Sequence, residues 1–230
     1  IRNCVATGAD PEQIAVLDNF CWGYTDRPET LGALVRSAMA CRDLALAMDV
    51  PFISGKDSLH NEFSYMTAGQ RKTISIPHTL LISALGQIDS AELAVTMDLK
   101  TTGNVLYQIG ATRCEFGGSH FAKIHSISGG QVPTVDCLRA KKLYGQLHQL
   151  IKNGKIAACH DQAEGGLAVS LAEMAIAGRL GLDVQLDGVP VETTAAPTDS
   201  LERGQIPAVV IRLFSESNSR FVIEVAPGDT

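Results

Sequence analysis

The segment Ser54-Gly55-Lys56-Asp57-Ser58 places a glycine, a cation, an anion and a hydroxyl side by side after a short apolar run. The backbone N–H groups of such a turn, together with a lysine, can bind phosphates, and an aspartate can bind Mg²⁺. The spacing is not that of a Walker A loop, which requires Gly-x-x-x-x-Gly-Lys. The residues alone predict either a phosphate-binding turn or an ordinary solvated turn.

Asp18 is a second candidate ligand for a metal ion or a nucleotide. It ends the apolar run of residues 14–17, which is typical of a short strand. A carboxylate at the end of a strand can face a site, but it can equally cap the following loop through Asn19. Both interpretations remain open.

A third cluster, HDQAEGGL, covers residues 160–167 and combines the end of a strand with a glycine pair at a helix start. Free N–H groups and the helix dipole attract anions at such a position, and Asp161 could hold a bridging cation. His160 taken alone is more often a structural histidine. Glu216 lies in a polar stretch before a strand, which predicts a solvated turn.

The six cysteines contain no C-x-x-C pair, so the sequence favours neither a zinc site nor a disulfide framework. We expect them to be small buried hydrophobic residues. They are Cys4, Cys21, Cys41, Cys114, Cys137 and Cys159.

The overall composition restricts the class of protein. The chain of 230 residues has a formal net charge of −6, no basic run and only 5% aromatic residues, which argues against a nucleic-acid partner. No apolar stretch approaches the roughly 20 residues that cross a bilayer, and the N-terminal residues have neither the charged n-region nor the apolar h-region of a signal peptide. We therefore expect a soluble, cytoplasmic protein. Because the chain starts at Ile1 without methionine, we also expect it to be a piece of a longer polypeptide.

The first part of the chain must supply strands and a helix that position Asp18 and the 54–58 segment. Strands are predicted at 13–18, 51–54 and 79–88, the last apolar nearly throughout as buried strands are. After Asp18, a polar loop is expected. A helix is predicted from Pro28 to just before Pro51, with one apolar face. That face contains Leu31, Leu34, Val35, Ala38, Cys41, Ala45 and Met48.

The pattern restarts after residues 98–103, which form the best candidate for a domain boundary. A strand is predicted at 104–110, and a helix is predicted to start with Thr134 as its N-cap and to end at Asn153. Strands mixed with helices, without regular βαβ alternation, indicate an α+β fold.

Further elements follow this helix. A strand is predicted at 155–159, a loop at 160–166 and a helix at 167–177. Residues 189–198 have no periodicity and predict an exposed loop. The alternation in residues 219–225 predicts a half-buried strand.

The three motifs together resemble the synthetase component of the phosphoribosylformylglycinamidine synthase family, also called formylglycinamide ribonucleotide amidotransferase. The first motif is GKDSL at 55–59, the second is HDQAEGGLA at 160–168 together with LAEMA at 171–175, and the third is FSES at 214–217 followed by Arg220-Phe221. The resemblance covers nearly the whole chain. Each motif alone is also similar to aminoimidazole ribonucleotide synthetase, selenophosphate synthetase and thiamine-monophosphate kinase.

The resemblance implies an α+β, aminoimidazole ribonucleotide synthetase-like fold, with a synthetase built from two tandem halves. This chain is similar to the second half. Residues 1–98 then form part of an N-terminal-type, ATP-binding sheet domain, and residues 99–230 form a truncated C-terminal-type α/β domain. The expected partners are the first half of the synthetase and a glutaminase domain or subunit.

The reaction implied by the resemblance is an ATP-dependent ligation in purine biosynthesis. ATP activates the amide of formylglycinamide ribonucleotide as an iminophosphate, and glutamine-derived ammonia displaces the phosphate to give formylglycinamidine ribonucleotide. The cofactors are ATP or ADP and Mg²⁺. The family's catalytic histidine belongs to the first half, so no catalytic residue is expected here and the chain alone should be inactive.

The resemblance also assigns binding roles to individual residues. Asp18 and Gly55 match positions that contact the nucleotide, and Ser58 matches a substrate-binding position. The residue type alone, and not the resemblance, makes Lys56 the cation expected at the phosphates.

Asn3 and Asp161 match magnesium ligands of the second-half site. Lys56 stands where many relatives have an asparagine metal ligand, and Asp57 beside it could substitute. Ala163 replaces a serine that contacts the nucleotide in some members.

The departures at Lys56 and Ala163 support one alternative, a structural or regulatory half with a vestigial nucleotide site. A second alternative is a small-molecule kinase of the same superfamily, but the runs at 55–58 and 214–217 fit the synthetase better.

Overall fold

The computed structural model describes residues 1–192 and 206–228. The elements in chain order are α1 (Arg2–Ala6), β1 (Ile14–Cys21), α2 (Pro28–Met48), β2 (Phe52–Gly55), β3 (Glu62–Thr67), β4 (Gln70–Ser75), β5 (Thr79–Gly86), β6 (Val105–Ile109), α3 (His120–Ile124), α4 (Cys137–Lys152), β7 (Ala158–Asp161), α5 (Gly166–Gly178), α6 (Ala208–Phe214) and β8 (Phe221–Val225). Short 3₁₀ turns lie at Pro11–Gln13 and Ala91–Leu93.

Contacts divide the chain into two compact units. Unit 1 contains Ile1 and Glu12–Gln87, and unit 2 contains Arg2–Pro11 and Ile88–Thr230. The change of unit after Gln87 precedes the boundary expected between residues 98 and 99, so the domain limits of the sequence remain a prediction. Within the described ranges, no helix combines the length and the apolar character needed to cross a membrane.

Unit 1 contains a three-stranded sheet in the order β2-β1-β5, with β1 parallel to β2 and antiparallel to β5. The predicted strands are confirmed, but the polar loop expected after Asp18 is wrong. Strand β1 continues to Cys21 because its backbone stays paired with β5 as far as Cys21 opposite Thr79. Backbone pairing here overrides the loop preference of Asn19.

The hairpin β3–β4 was not predicted from the sequence. Its strands pair from Glu62 opposite Ser75 to Thr67 opposite Gln70, and Ala68 and Gly69 form the turn with positive φ angles. The residues Phe63 and Tyr65 share one face and stack with ring centroids 5.9 Å apart. This alternation of aromatic residues was the available signal.

The predicted helix of unit 1 is confirmed as α2, with Pro28 in its first turn and Asp49 closing it in the left-handed conformation. Its predicted apolar face is only partly covered: Leu31 and Val35 are exposed, whereas Met48 is buried. The same holds for β5, whose residues Leu81 and Leu85 are more than half exposed. The expectation of a buried strand at 79–88 is therefore wrong within this unit.

Unit 2 contains an antiparallel sheet in the order β6-β8-β7. All five residues of the central strand β8 are buried, which corrects the expected half-buried strand. Both faces of β8 are covered: Phe221 packs edge-on against Tyr144 of α4, and Val222 joins a core with residues of α5. A strand covered on both sides loses its polar face.

The start of α4 differs from the expectation. Its N-cap is Asp136, whose carboxylate accepts a hydrogen bond from the Arg139 N–H at 3.1 Å, and not Thr134. Both the N–H and the hydroxyl of Thr134 donate instead to the buried carboxylate of Glu115, each at 3.1 Å. The helix ends at Asn153 as predicted.

The strand expected at 155–159 is displaced toward the C-terminus. Strand β7 pairs with β8 through His160 opposite Val222 and Asp161 opposite Phe221, so both residues lie in a strand and not in a loop. The following helix is confirmed as α5. In the expected loop of residues 189–198, Val189 is buried, and residues 193–198 lie outside the described residues.

Glu224 holds the segment before β6 against the sheet. Its buried carboxylate accepts hydrogen bonds from the N–H groups of Lys100 and Thr101, at 2.8 Å and 3.0 Å, and from the side-chain amide of Asn104 at 2.7 Å. Three donors satisfy a charge that would otherwise be costly to bury. The segment that leads into β6 is thus fixed by one side chain of the central strand.

Candidate functional site

The first group of predicted site residues lies at the ends of the parallel strands β1 and β2. Asp18 is directly opposite Gly55, and the Lys56 N–H donates to the Asp18 carbonyl at 3.1 Å. A Cβ atom on Gly55 would overlap the Asp18 carboxylate. Glycine is therefore required because the acidic side chain lies directly over its backbone.

Lys56 and Ser58 lie on the same turn. The ammonium group of Lys56 donates to the Ser58 hydroxyl at 2.6 Å, and Lys56 is exposed. The backbone of Ser58 continues alongside β1: its N–H donates to Phe20 and its carbonyl accepts from Trp22, both at 2.8 Å. The turn is therefore held rigidly while its cation and hydroxyl remain close to solvent.

Asp57, which the sequence suggested as a substitute metal ligand, has a structural contact. Its Oδ1 atom accepts a hydrogen bond from the Phe20 N–H at 3.1 Å. This bond satisfies a backbone donor in β1. Its role as a magnesium ligand remains a prediction.

The carboxylate of Asp18 also affects the thiol of Cys41 on α2. Burial, and after it the negative charge of Asp18, raises the pKa of the Cys41 thiol. The structure therefore places Cys41 in the electrostatic neighbourhood of Asp18. All six cysteines are free, but only Cys159 is fully buried, which corrects the expectation of six buried residues.

In unit 2, Asp161 is a half-buried carboxylate with two cationic neighbours. Arg2 Nε donates to its Oδ2 at 2.9 Å, and His160 Nδ1 lies 3.8 Å from its Oδ1. Burial opposes ionisation, but the hydrogen bonds from His160 and Arg2 outweigh it and lower the pKa of Asp161. Asp161 is thus held as an anion.

His160 lies between two carboxylates. Its Nε2 atom is 2.8 Å from Glu173 of α5, and Asp161 lies on its other side. The hydrogen bond with Asp161 raises the pKa of His160. Burial opposes this shift, and the hydrogen bond with Glu173 reinforces it. The imidazole therefore links β7 to α5.

Glu216 is not in a solvated turn, as the sequence suggested. Its side chain is only 13% exposed, and its Oε1 accepts from the N–H groups of Gly165 and His120, both at 2.9 Å. The carboxylate therefore caps the start of α5, where the sequence predicted an anion site. The chain supplies this anion itself.

Arg220 was also missed from the sequence. It is fully buried, and it donates to the Ser217 carbonyl at 2.9 Å, to the Thr112 hydroxyl at 3.1 Å and to the Ser215 carbonyl. Burial, and next the positive charge of Arg2, lower the pKa of Arg220 to about 10. This guanidinium fixes the loop that carries Glu216. An arginine at the start of an apolar strand was the signal.

The predicted residues thus form two groups. Unit 1 brings together Asp18, Gly55, Lys56, Asp57 and Ser58, and unit 2 contains Asn3 and Asp161. Asn3 is exposed on α1. Over the described part of the chain, no three His, Cys, Asp or Glu side chains are arranged to hold a metal ion. Oxygen donors such as Asn3 and Asp161 suit Mg²⁺, which usually needs only one or two carboxylates beside substrate phosphates.

Comparison with known families identifies the class of protein. The family described as "AIR synthase related protein, C-terminal domain" matches residues 101–230. The chain belongs to this family, and the predicted α+β, aminoimidazole ribonucleotide synthetase-like fold is confirmed.

A more particular similarity comes from individual relatives. The chain is 32% identical over 223 residues to the phosphoribosylformylglycinamidine synthase subunit PurL of Thermococcus sibiricus, covering 97% of this chain and 28% of that protein. The chain therefore spans little more than a quarter of the length of this relative. The predicted family resemblance is confirmed.

Solved structures show the same fold. The structure of T. maritima PurL complexed with FGAR matches with a TM-score of 0.68 and 19% identity, covering 100% of this chain and 34% of that one. T. maritima PurL complexed with ATP matches with a TM-score of 0.65 and 18% identity, covering 100% of this chain and 32% of that one.

Proposed function

We propose that this chain is part of an ATP-dependent ligase of purine biosynthesis that converts formylglycinamide ribonucleotide to formylglycinamidine ribonucleotide. The 32% identity with a PurL subunit supports this proposal, and so do the FGAR and ATP complexes of a PurL of the same fold. Glutamine-derived ammonia, delivered by a glutaminase domain or subunit, displaces phosphate from the iminophosphate. The remaining part of the synthetase supplies the catalytic base.

The observation that carries the proposal is the pairing of Asp18 with Gly55 at adjacent strand ends, followed at once by Lys56 and Ser58. Within this arrangement, Asp18 orients the nucleotide. Gly55 has no side chain and so leaves room for the Asp18 carboxylate, while its backbone contacts the nucleotide. Lys56 balances phosphate charge, and Ser58 donates to the ribonucleotide substrate. Fixed donors and cations of this kind stabilise the charge that develops during phosphoryl transfer.

Magnesium belongs to the proposal through Asp57 in unit 1 and, separately, through Asn3 and Asp161 in unit 2, because side-chain oxygen atoms are the ligands this ion prefers. When bound, the ion neutralises phosphate charge on the nucleotide. The chain's own contribution is to keep Asp161 ionised, which the hydrogen bonds from His160 and Arg2 achieve.

The test uses the full-length protein that contains this chain, assayed with formylglycinamide ribonucleotide, ATP, Mg²⁺ and ammonia. We expect Asp18→Asn and Lys56→Met to raise the KM for ATP, and Ser58→Ala to raise the KM for the ribonucleotide. Loss of one hydrogen bond to a charged group costs about 1.5–3 kcal/mol, which corresponds to a rise in KM of about 10- to 100-fold.

The control is Asp43→Asn, which removes an exposed carboxylate on α2 that pairs with Arg42 beside it. It should leave both KM values unchanged. Wild-type kinetics in all three site variants would reject the assigned roles. Turnover by the isolated 230-residue chain at the rate of the full-length protein would reject the proposal that it is only a part of the enzyme.

A further inference from the structure

Arg2 binds the carboxylate that the family resemblance assigns to magnesium. Its Nε atom donates to Asp161 at 2.9 Å, and its Nη1 atom donates to the Asn218 side-chain carbonyl at 3.1 Å. The side chains of Arg2 and Asp161 are only 22% and 16% exposed. The guanidinium is therefore held from two elements, and the pair is largely shielded from water.

The orientation of α1 explains why Arg2, and not Asn3, faces Asp161. Consecutive residues of a helix point about 100° apart, so a helix that directs one toward a neighbour directs the next away. Helix α1 packs against β7, Arg2 is half-buried there, and Asn3 is exposed. Of these two neighbouring residues, the cationic one contacts the carboxylate: Arg2 donates to Asp161, and Asn3 is exposed.

Arg2 and a divalent cation need the same carboxylate oxygens. Oδ2 of Asp161 accepts from Arg2, and Oδ1 faces His160 at 3.8 Å. A cation entering beside the guanidinium would experience like-charge repulsion in a partly buried setting, where screening by water is weak.

We propose that Arg2 is an internal competitor for the cation site at Asp161. With the ion pair formed, Asp161 is closed to Mg²⁺ or Mn²⁺, and the cation binds only when Arg2 leaves. The inference rests on the proposed function, because it concerns the predicted magnesium ligand of the same site. It adds a state without a bound cation, in which the Arg2 guanidinium neutralises the charge of Asp161.

The test is a titration of the full-length protein that contains this chain with Mn²⁺, monitored by electron paramagnetic resonance at fixed ionic strength. Arg2→Ala should tighten Mn²⁺ binding about tenfold or more, because a part-buried ion pair no longer has to be broken. Arg2→Gln keeps a long polar side chain without the charge, and it serves if the alanine variant does not fold. The double variant Arg2→Ala/Asp161→Asn should lose the gain.

The matched control is Arg42→Ala, which removes the same charge from an exposed pair in unit 1 and should leave Mn²⁺ binding unchanged. Equal Mn²⁺ affinity in wild type and both Arg2 variants overturns the inference, as does the absence of binding in all of them. The titration needs no turnover. If the full-length protein has no ligase activity but Arg2→Ala still binds Mn²⁺ more tightly, the proposed function is rejected. The competition between Arg2 and the cation for Asp161 is then still supported.

Discussion

Gly55 leaves no room for a side chain because the Asp18 carboxylate covers it. Gly55→Ala should therefore destabilise the protein by about 1–3 kcal/mol, the usual cost of overpacking a close contact. Urea unfolding followed by circular dichroism measures the loss. Adding Asp18→Gly removes the obstructing carboxylate and should restore most of the stability.

The matched control is Gly145→Ala in α4, where an added Cβ meets no atom within 4 Å. Alanine there should raise the free energy of unfolding by up to about 1 kcal/mol, because it favours the helix. Equal effects of the two substitutions would contradict the close approach of Asp18 to Gly55.

The thiols of Cys41 and Cys159 have raised pKa values, which give a second prediction for individual residues. Burial, with a smaller contribution from Asp161, raises the pKa of Cys159 to about 12, so Cys159 should resist iodoacetamide at pH 8 in the folded protein. Asp18 also raises the pKa of Cys41, and Asp18→Asn should therefore lower that pKa. More thiolate at a given pH means faster alkylation, which peptide mass spectrometry measures.

Asp43→Asn provides the comparison for the thiol experiment, since it removes an exposed charge from the same helix, α2. An unchanged Cys41 rate in Asp18→Asn, or a rate change of the same size in Asp43→Asn, would show that Asp18 does not act on this thiol.

At the scale of elements, the start of α5 depends on a residue distant in sequence. Glu216 accepts from the N–H groups of Gly165 and His120, so Glu216→Ala leaves two donors without their charged partner. Hydrogen bonds to charged groups contribute about 1.5–3 kcal/mol. We expect a loss of that order in the free energy of unfolding, measured by urea denaturation.

Glu164→Ala is the appropriate control, because Glu164 is an exposed acid in the loop immediately before α5. It should change the free energy of unfolding by less than about 0.5 kcal/mol. If Glu216→Ala is as mild as this control, the capping contact is not important for stability.

Elements with strong local signals were predictable from the sequence, and those fixed by distant contacts were not. Helix α2 was predicted from Pro28 and its apolar spacing, and the chemistry-bearing turn at 54–58 was recognised from its residue types. The true N-cap of α4 was missed because Thr134 is bound to Glu115, and the limits of β7 were missed because pairing with β8 decides them. No local pattern encodes such partners.

At the scale of the whole molecule, unit 1 exposes apolar residues on one side of its sheet. Leu81 and Leu85 lie on the same face of β5 and are 58% and 59% exposed. We expect the isolated chain to bind a hydrophobic dye such as ANS, because contiguous apolar surface of this kind attracts other apolar groups. The variant Leu81→Ser/Leu85→Ser should reduce the dye fluorescence.

Ile176→Ser is the control, since this residue is also highly exposed but lies on α5 in unit 2. It should leave most of the fluorescence unchanged. A double variant with wild-type dye binding would mean that the apolar face of β5 is not accessible in solution.

The carboxylate of Glu224 also has a consequence for how this sequence can vary. It accepts a hydrogen bond from Asn104, which lies 120 positions earlier in the sequence, so a substitution at one of these two positions affects the other. An aspartate at position 104 would place a second carboxylate beside the buried Glu224, and the two negative charges would repel. The protein should tolerate this aspartate only when residue 224 is replaced as well. Related sequences should therefore exchange these two residues together, as a pair.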